Sequence, residues 1–332
     1  MNHGNDKQAP GIPGKARPGL TVIVPVFNEE ENIGSLHGRL ARTLDSYGKS
    51  YELLFIDDGS TDGSYAKLEA LHDRDRNVRV VRFLRNFGQQ MAVAAGFEYA
   101  LGDVVVLIDA DLQTMPEEVP LLVDKLAEGF DIVYGVRERR RDPFVRRIGS
   151  WCMSHLLYRV TGIGIPDAAT AFIALDRKFV DSIRLYNERS KYFSGLFAWL
   201  SYGRAGAVPV THAPRQAGAS KYNIRKLVGL TLNVVCSFSV LPLRFAAYLG
   251  AAFIAAGGLG LTVLLGIRLL ASNPPALGTW TLAAAMAFFS GVQLFAVGVL
   301  GEYLARVYAE VKGRPSYVVR DVLDHGEAEH SR

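Results

Sequence analysis

Short apolar runs alternate with longer amphipathic stretches through the first 136 residues. Leu20 to Phe27 is rich in β-branched residues and ends in Asn28 and three glutamates, a pattern of strand, loop and acidic first helical turn. Tyr51 to Ile56, Val78 to Leu84, Val104 to Ile108 and Asp131 to Val136 repeat the strand signature. Helical patterns fill the gaps. One covers Gln89 to Ala100, and another starts at Thr114, a candidate cap, with Pro116 in its first turn and Glu117 three residues on. Ala171 to Leu175 and Ala205 to His212 read as further strands. Strands alternating with helices predict an α/β fold with a mainly parallel sheet covered on both faces. Ligands bind such sheets beyond the carboxyl ends of the strands. Here those ends carry Asn28-Glu29, Asp57-Asp58, Arg85-Asn86 and Asp109-Ala110-Asp111, so one rim gathers the polar groups.

The pattern changes after residue 222. Leu227 to Leu241 is uncharged but broken by polar residues and closed by Pro242, which predicts a helix lying at a membrane surface. Phe245 to Ile267 and Leu277 to Gly301 are uncharged runs of 23 and 25 residues. About 20 apolar residues span a bilayer core as a helix. The alternative, a pair of buried helices in a soluble protein, fits poorly, because two uncharged runs this long are rare in soluble folds. The expected organisation is a disordered segment at 1–18, an α/β domain at 19–222, an interface helix at 223–243, two transmembrane helices within 244–304 (about 245–267 and 277–301) and a polar tail at 305–332.

Residues 1–18 carry no apolar run of the signal-peptide kind. Arg225, Lys226 and Arg244 precede the first span, while Arg306, Lys312, Arg314 and Arg320 lie at or beyond the end of the second. The connector between the spans has one charge. By the positive-inside rule the α/β domain and both termini are expected on the cytoplasmic side of a multi-pass membrane protein, in a bacterium the inner membrane.

Charge and cysteine content narrow the chemistry. The net charge of +4 on 332 residues is too small and too local for a nucleic-acid-binding face. The basic residues concentrate instead in Arg137 to Arg147, which holds six arginines. Such a cluster suits phosphates through bidentate contacts, or anionic lipid headgroups. Two cysteines exclude a disulfide framework. No GxGxxG follows the first strand, and neither a Walker lysine loop nor an HExxH motif occurs, which argues against dehydrogenase, P-loop ATPase and zinc-protease chemistry.

Asp109 and Asp111, one residue apart after a buried strand, have the spacing to share a hard divalent cation, and Gln113 could add a carbonyl oxygen. Magnesium usually takes one or two carboxylates plus substrate phosphates, so a phosphorylated substrate is implied. A lone D-x-D can also be a solvated turn. Asp57-Asp58-Gly59-Ser60-Thr61-Asp62 is a tight acidic turn that can hold a base or ribose, cap a helix, or do both.

Val22-Ile23-Val24-Pro25-Val26-Phe27-Asn28-Glu29-Glu30, Asp57 to Asp62 and Asp109-Ala110-Asp111-Leu112-Gln113 together resemble the family 2 glycosyltransferases of the GT-A fold. Asn86-Phe87-Gly88-Gln89, Gly218 to Tyr222, Gly301-Glu302-Tyr303 and Lys312 to Pro315 are similar to the polyprenyl-phosphate branch of that family, which contains dolichol-phosphate mannose synthases, bactoprenol glucosyltransferases and undecaprenyl-phosphate aminoarabinose transferases. The resemblance covers about residues 20 to 320. It implies that Pro25, Phe27, Glu29, Asp57 or Asp58, Asn86 and Gly88 hold the nucleotide sugar. It also implies that Asp109 meets ribose or metal and that Asp111 and Gln113 ligate Mg2+ or Mn2+ with the diphosphate. Arg137, Arg146 and Ser150 would meet the acceptor phosphate, and Arg215, Ser220 and Lys221 would close over the donor. Asp109, Asp111, Arg137 and Arg146 would carry catalysis.

The resemblance further implies a homo-oligomer, a tetramer in relatives, and a cell-envelope product. UDP-glucose is the first expected donor, followed by UDP-4-amino-arabinose derivatives and GDP-mannose. This chain departs from some relatives at Ala171, where they carry a proposed base. Two rivals remain. A processive polysaccharide synthase would need a Gln-x-x-Arg-Trp motif that the chain lacks. A non-catalytic sugar-nucleotide sensor or flippase scaffold is discriminated by metal-dependent turnover.

Overall fold

The computed structural model describes residues 17–137, 169–186, 193–201, 204–211, 241–270 and 279–325. The chain divides into two compact units, one formed by residues 1–155, 163–221 and 315–332, the other by 156–162 and 222–314.

The first unit is built on one eight-stranded sheet in the order β7-β5-β6-β4-β1-β2-β3-β8. Its strands are β1 (Leu20–Val26), β2 (Tyr51–Asp57), β3 (Val78–Phe83), β4 (Val104–Leu107), β5 (Ile132–Arg137), β6 (Ala169–Asp176), β7 (Ala205–Val210) and β8 (Val319–Leu323). β1 pairs in parallel with both β2 and β4, β2 with β3, and β5 with β7. The parallel centre follows from the helical crossovers, and β1 and β2 are buried along their whole length because helices cover both faces. β6 runs antiparallel between β4 and β5, and β8 runs antiparallel beside β3. Mainly parallel is therefore right for the centre and gives way at both flanks.

Helices α1 (Glu30–Tyr47), α2 (Ser64–Arg74) and α3 (Gln89–Tyr99) follow the first three strands, α4 (Val119–Leu126) follows β4 and α5 (Arg177–Leu185) follows β6. α6 (Phe193–Ser201) precedes β7. One core layer packs Leu36, Leu40 and Leu44 of α1 against Val22, Leu53 and Phe55, and the other packs Ala92, Ala95 and Phe97 of α3 against Ile23 and Leu54. α3 lies so close to the sheet that a Cβ on Gly96 would sit 2.3 Å from Ile23 Cγ2.

Two local expectations change. Thr114 does not cap the helix after β4: Met115 precedes a 3-10 turn at Pro116–Glu118, and the buried Thr114 hydroxyl has no hydrogen-bond partner among the described residues. Pro116 brings no N–H to the first position, and the Glu118 amide closes the turn on the Met115 carbonyl at 3.0 Å. The segment assigned to a polar tail, 305–332, contains β8. A buried network anchors its end: Arg79 donates to Asp324 Oδ2 and Glu52 Oε2 at 2.8 Å each, and Glu52 Oε1 accepts from Thr21 Oγ1 and the Leu101 amide. Tyr317 stacks on Phe83 at 4.8 Å between ring centroids.

In the second unit, α7 (Leu241–Leu270) and α8 (Thr279–Val311) pack through Phe253 against Phe288, with centroids 5.0 Å apart. Among the described residues one window, Phe288–Ala305, is long and apolar enough to cross a membrane, with a mean hydropathy of 1.4 and none of it buried. α7 carries a shorter apolar stretch, Leu243–Gly257. The expected pair of spans thus has one membrane-length window within the described residues. The proposed interface helix lies almost wholly outside them.

Candidate active site

The order β4-β1-β2-β3 makes the gap between β1 and β4 a topological switch point, because the chain leaves β1 in one direction and returns on its other side. A cleft of about 290 Å³ opens there, beyond the strand ends. The end of β1 and the loop after it contribute Pro25, Val26, Phe27 and Glu29; Asp58 follows β2; Asn86 and Gly88 before α3 and Gln89 at its start add the next wall; and Asp109, Ala110 and Asp111 follow β4.

The loops are tied to one another through short polar side chains. Asn28, at φ +56°, accepts the Thr61 amide on its Oδ1 at 2.8 Å, and its own amide donates to Ser60 Oγ at 3.1 Å. Asn tolerates this left-handed backbone better than most residues. The Glu29 amide donates to Ser64 Oγ, while Asp62 accepts from the Ser64 amide and Glu30 from the Gly63 amide. The starts of α1 and α2 therefore cap each other. Gly59, at φ +67°, lies flat against the β3–α3 loop, where a Cβ would meet Arg85 C at 2.4 Å.

Asp58 reaches across to that loop. Its Oδ1 accepts the Phe87 amide at 2.7 Å and its Oδ2 the Gly88 amide at 2.9 Å. Burial raises the Asp58 carboxyl above the usual carboxylate range; the two amides oppose that shift, and neighbouring Asp57 adds to it. Asp57, one residue earlier, points the other way. It is fully buried and does not line the cleft; its Oδ1 accepts the Ser60 amide.

On the β4 side, Gln89 Nε2 donates to Asp109 Oδ1 at 2.8 Å. Burial, and after it the Asp111 carboxylate, push the Asp109 carboxyl up to about 6, and Glu29 pushes the same way. Asp111 accepts from the Gln113 amide at 3.1 Å and from Gln113 Nε2 at 2.6 Å across a turn that puts Leu112 at φ +56°. Gln113 thus orients Asp111 by donating to it through both its backbone and its side-chain amide. Among the described residues no group of three or more His, Cys, Asp or Glu side chains gathers to hold a metal. Two half-buried carboxylates at one cleft fit an ion that takes one or two protein oxygens and completes its shell with phosphate and water.

The structure therefore brings Pro25, Phe27, Glu29, Asp58, Asn86, Gly88, Asp109 and Asp111 together, and leaves Asp57 beneath them. Arg137 ends β5 with its side chain exposed, opposite Val210. Ala171 stands on β6 where the β5–β6 register shifts. Arg146, Ser150, Arg215, Ser220 and Lys221 lie outside the described residues. Gln89 is the polar lining residue not expected as a site residue; its signal was a polar first helical position directly after Gly88.

The profile of "Glycosyl transferase family 2" matches residues 21–184, the stretch that contains every one of these loops. An uncharacterized glycosyltransferase of Synechocystis, sll0501, is 38% identical over 304 residues, which is 91% of this chain and 95% of that protein. Among solved structures, glucosyl-3-phosphoglycerate synthase from Mycobacterium tuberculosis, in complex with Mn2+, UDP and glucosyl-3-phosphoglycerate, is similar at 21% identity and a TM-score of 0.44, covering 66% of this chain and 78% of that one. S. aureus TarS in complex with UDP-GlcNAc is similar at 16% identity and a TM-score of 0.43, covering 66% and 71%. On its near full-length relative and its matching strand-end motifs, the chain belongs to glycosyl transferase family 2 and is a glycosyltransferase with a mainly parallel, GT-A-type α/β domain.

Proposed function

We propose that the protein transfers a single sugar from a nucleotide sugar, UDP-glucose first among donors, to a polyprenyl phosphate such as undecaprenyl phosphate at the cytoplasmic face of a membrane, with inversion at the anomeric carbon. The observation that carries this reading is the acidic cleft at the switch point, in a chain that also holds an exposed membrane-length apolar helix. The resemblance to the polyprenyl-phosphate branch supports the acceptor, and the two-span hairpin with cytoplasmic termini belongs to the same proposal.

Phe27, Asn86 and the Gly88 backbone line the donor side, and Asp58 keeps the Asn86–Gly88 loop in place. Asp109, oriented by Gln89, and Asp111, oriented by Gln113, would hold Mg2+ or Mn2+. The ion, when bound, acts as a Lewis acid on the leaving diphosphate. An oxygen of the lipid phosphate forms the new bond to the anomeric carbon, the bond from that carbon to the donor diphosphate breaks, and the nucleoside diphosphate departs with the electron pair. A phosphate monoester is largely dianionic at neutral pH, so the attack needs no general base. That agrees with Ala171 at the position where some members of the polyprenyl-phosphate branch carry an Asp. Arg137 and Arg146 with Ser150 would bind the acceptor phosphate through charge-assisted bonds, and Arg215, Ser220 and Lys221 would cover the donor.

The test uses detergent-purified full-length protein with undecaprenyl phosphate, Mg2+ or Mn2+ and a panel of UDP- and GDP-sugars. Extracted lipid is weighed by mass spectrometry. The reading predicts a gain of one sugar from one donor. No lipid product from any donor, in protein that still binds nucleotide, would transfer support to the sensor or scaffold reading.

A further inference from the structure

Arg82 lies on β3, outside the cleft lining, and the mechanism above does not use it. Its surroundings are nonetheless specialised. Nε is 3.4 Å from Asp57 Oδ2, Nη1 is 3.9 Å from Asp321 Oδ2 on β8, and the guanidinium carbon stands 3.8 Å from the centroid of the Tyr65 ring on α2. Asp57 is fully buried. One of its oxygens accepts the Ser60 amide, whereas Oδ2 accepts no hydrogen bond among the described residues and has the Arg82 cation beside it. A buried carboxylate left without such a partner is strongly unfavourable. The Ser60 turn in turn holds Asn28, the residue between Phe27 and Glu29 of the cleft wall, through Ser60 Oγ and the Thr61 amide.

We propose that Arg82 is a positioning residue for donor binding. It neutralises buried Asp57, Asp57 fixes the Ser60 turn, and that turn fixes the Phe27–Glu29 wall. Tyr65 and Asp321 hold the guanidinium in register, so a strand that follows the apolar helices in the chain, β8, contributes to the donor site. Arginine suits the task because a planar, delocalised cation can stack on Tyr65 while facing two carboxylates, which a lysine ammonium does less well. The inference rests on the cleft being the donor site.

The test compares wild-type protein with Arg82→Met, Arg82→Lys and a double variant that combines Arg82→Met with Asp57→Asn, all full length in detergent. UDP and GDP binding is measured by calorimetry with Mn2+, and KM and kcat with the donor the wild type turns over. Arg82→Met is expected to weaken nucleotide binding and raise the donor KM about tenfold, with kcat within about twofold. Arg82→Lys falls between. The double variant recovers binding to within about threefold of wild type, because a neutral carboxamide at position 57 needs no counter-charge and its oxygen still accepts from the Ser60 amide.

A merely structural role would lower the melting temperature without this split between KM and kcat, and without recovery in the double variant. Arg82→Met protein with wild-type nucleotide affinity, or a double variant no better than the single, overturns the proposal. If Arg82→Met does not fold, Asp321→Asn on the exposed side of the pair is read instead: weaker nucleotide binding at low salt supports the proposal, and unchanged binding overturns it. Wild-type protein that binds neither nucleotide would instead bring down the donor-site reading, and this inference with it.

Discussion

Replacing Gly59 by alanine is a one-methyl perturbation with a calculable penalty. The residue sits at φ +67°, and its missing Cβ would lie 2.4 Å from Arg85 C, 2.7 Å from Arg85 Cα and 2.7 Å from Asn86 N. Every obstacle is backbone, so no side chain can swing aside. A left-handed conformation costs an L-residue about 1–2 kcal/mol. Forcing a methyl into filled space costs about 1–3 kcal/mol. Together these give about 2–5 kcal/mol. In a domain of this size, each kcal/mol lowers the midpoint by about 2–4 °C, so a drop of about 4–20 °C is expected.

The structure can relieve the clash only by moving Arg85–Asn86 away. That movement pulls the Phe87 and Gly88 amides off Asp58 and opens the cleft wall. Thermal melting, read together with nucleotide affinity, should therefore show both quantities falling. Gly34→Ala on α1 is the control, because nothing lies within 4 Å of its Cβ position. There alanine is expected to stabilise by about 0.5–1 kcal/mol. A Gly59→Ala protein that melts with the wild type and binds nucleotide equally well would refute the close approach of these two loops.

Further expectations follow from the same geometry. Asp111→Asn should cut turnover at least about 100-fold, since losing a ligand to the ion costs several kcal/mol of charge stabilisation and each 1.36 kcal/mol is tenfold; steady-state rates across a metal titration check it, and full activity would remove Asp111 from the metal site. Gln89→Ala frees the Asp109 carboxylate from its orienting donor, and the apparent metal affinity should fall about 10–100-fold, measured as the Mn2+ concentration for half-maximal rate. Asp324→Ala removes one of the two carboxylates on buried Arg79, which should cost about 1.5–3 kcal/mol of stability while leaving donor KM unchanged. A shift in KM there would mean that the far end of β8 also reaches the cleft.

Much of the catalytic unit is legible in the chain because its strands are buried on both faces and its polar groups cluster where strands end. Leu20–Val26, Tyr51–Asp57 and Val104–Leu107 each stand within a residue or two of their apolar runs. What escapes local reading is partnership. Val319–Leu323 spans only five positions and sets the charged pair Arg320-Asp321 among three apolar residues, with no period to distinguish it from a solvated tail. It becomes a strand by pairing with β3, far earlier in the chain.

Asp57 and Asp58 are adjacent, chemically identical and on opposite faces of the same rim. Composition offers no way to choose between them, whereas register puts Asp58 at the cleft and Asp57 under Ser60. Thr114 has the look of a cap, but the turn starts one residue later, with Met115 ahead of Pro116, and the Glu118 amide donates to the Met115 carbonyl instead. The antiparallel insertion of β6 between β4 and β5 depends on long-range pairing in the same way.

The account's central claim is that the cleft between β1 and β4 is the site of the donor and its metal. Crystals or grids of the full-length protein prepared with UDP and Mn2+ test this most directly. The account predicts manganese on the carboxylates of Asp109 and Asp111, the diphosphate completing its coordination, and the nucleoside against Phe27 and the Asp58-anchored loop. Manganese and UDP bound elsewhere, with Asp109 and Asp111 facing only water, would contradict it.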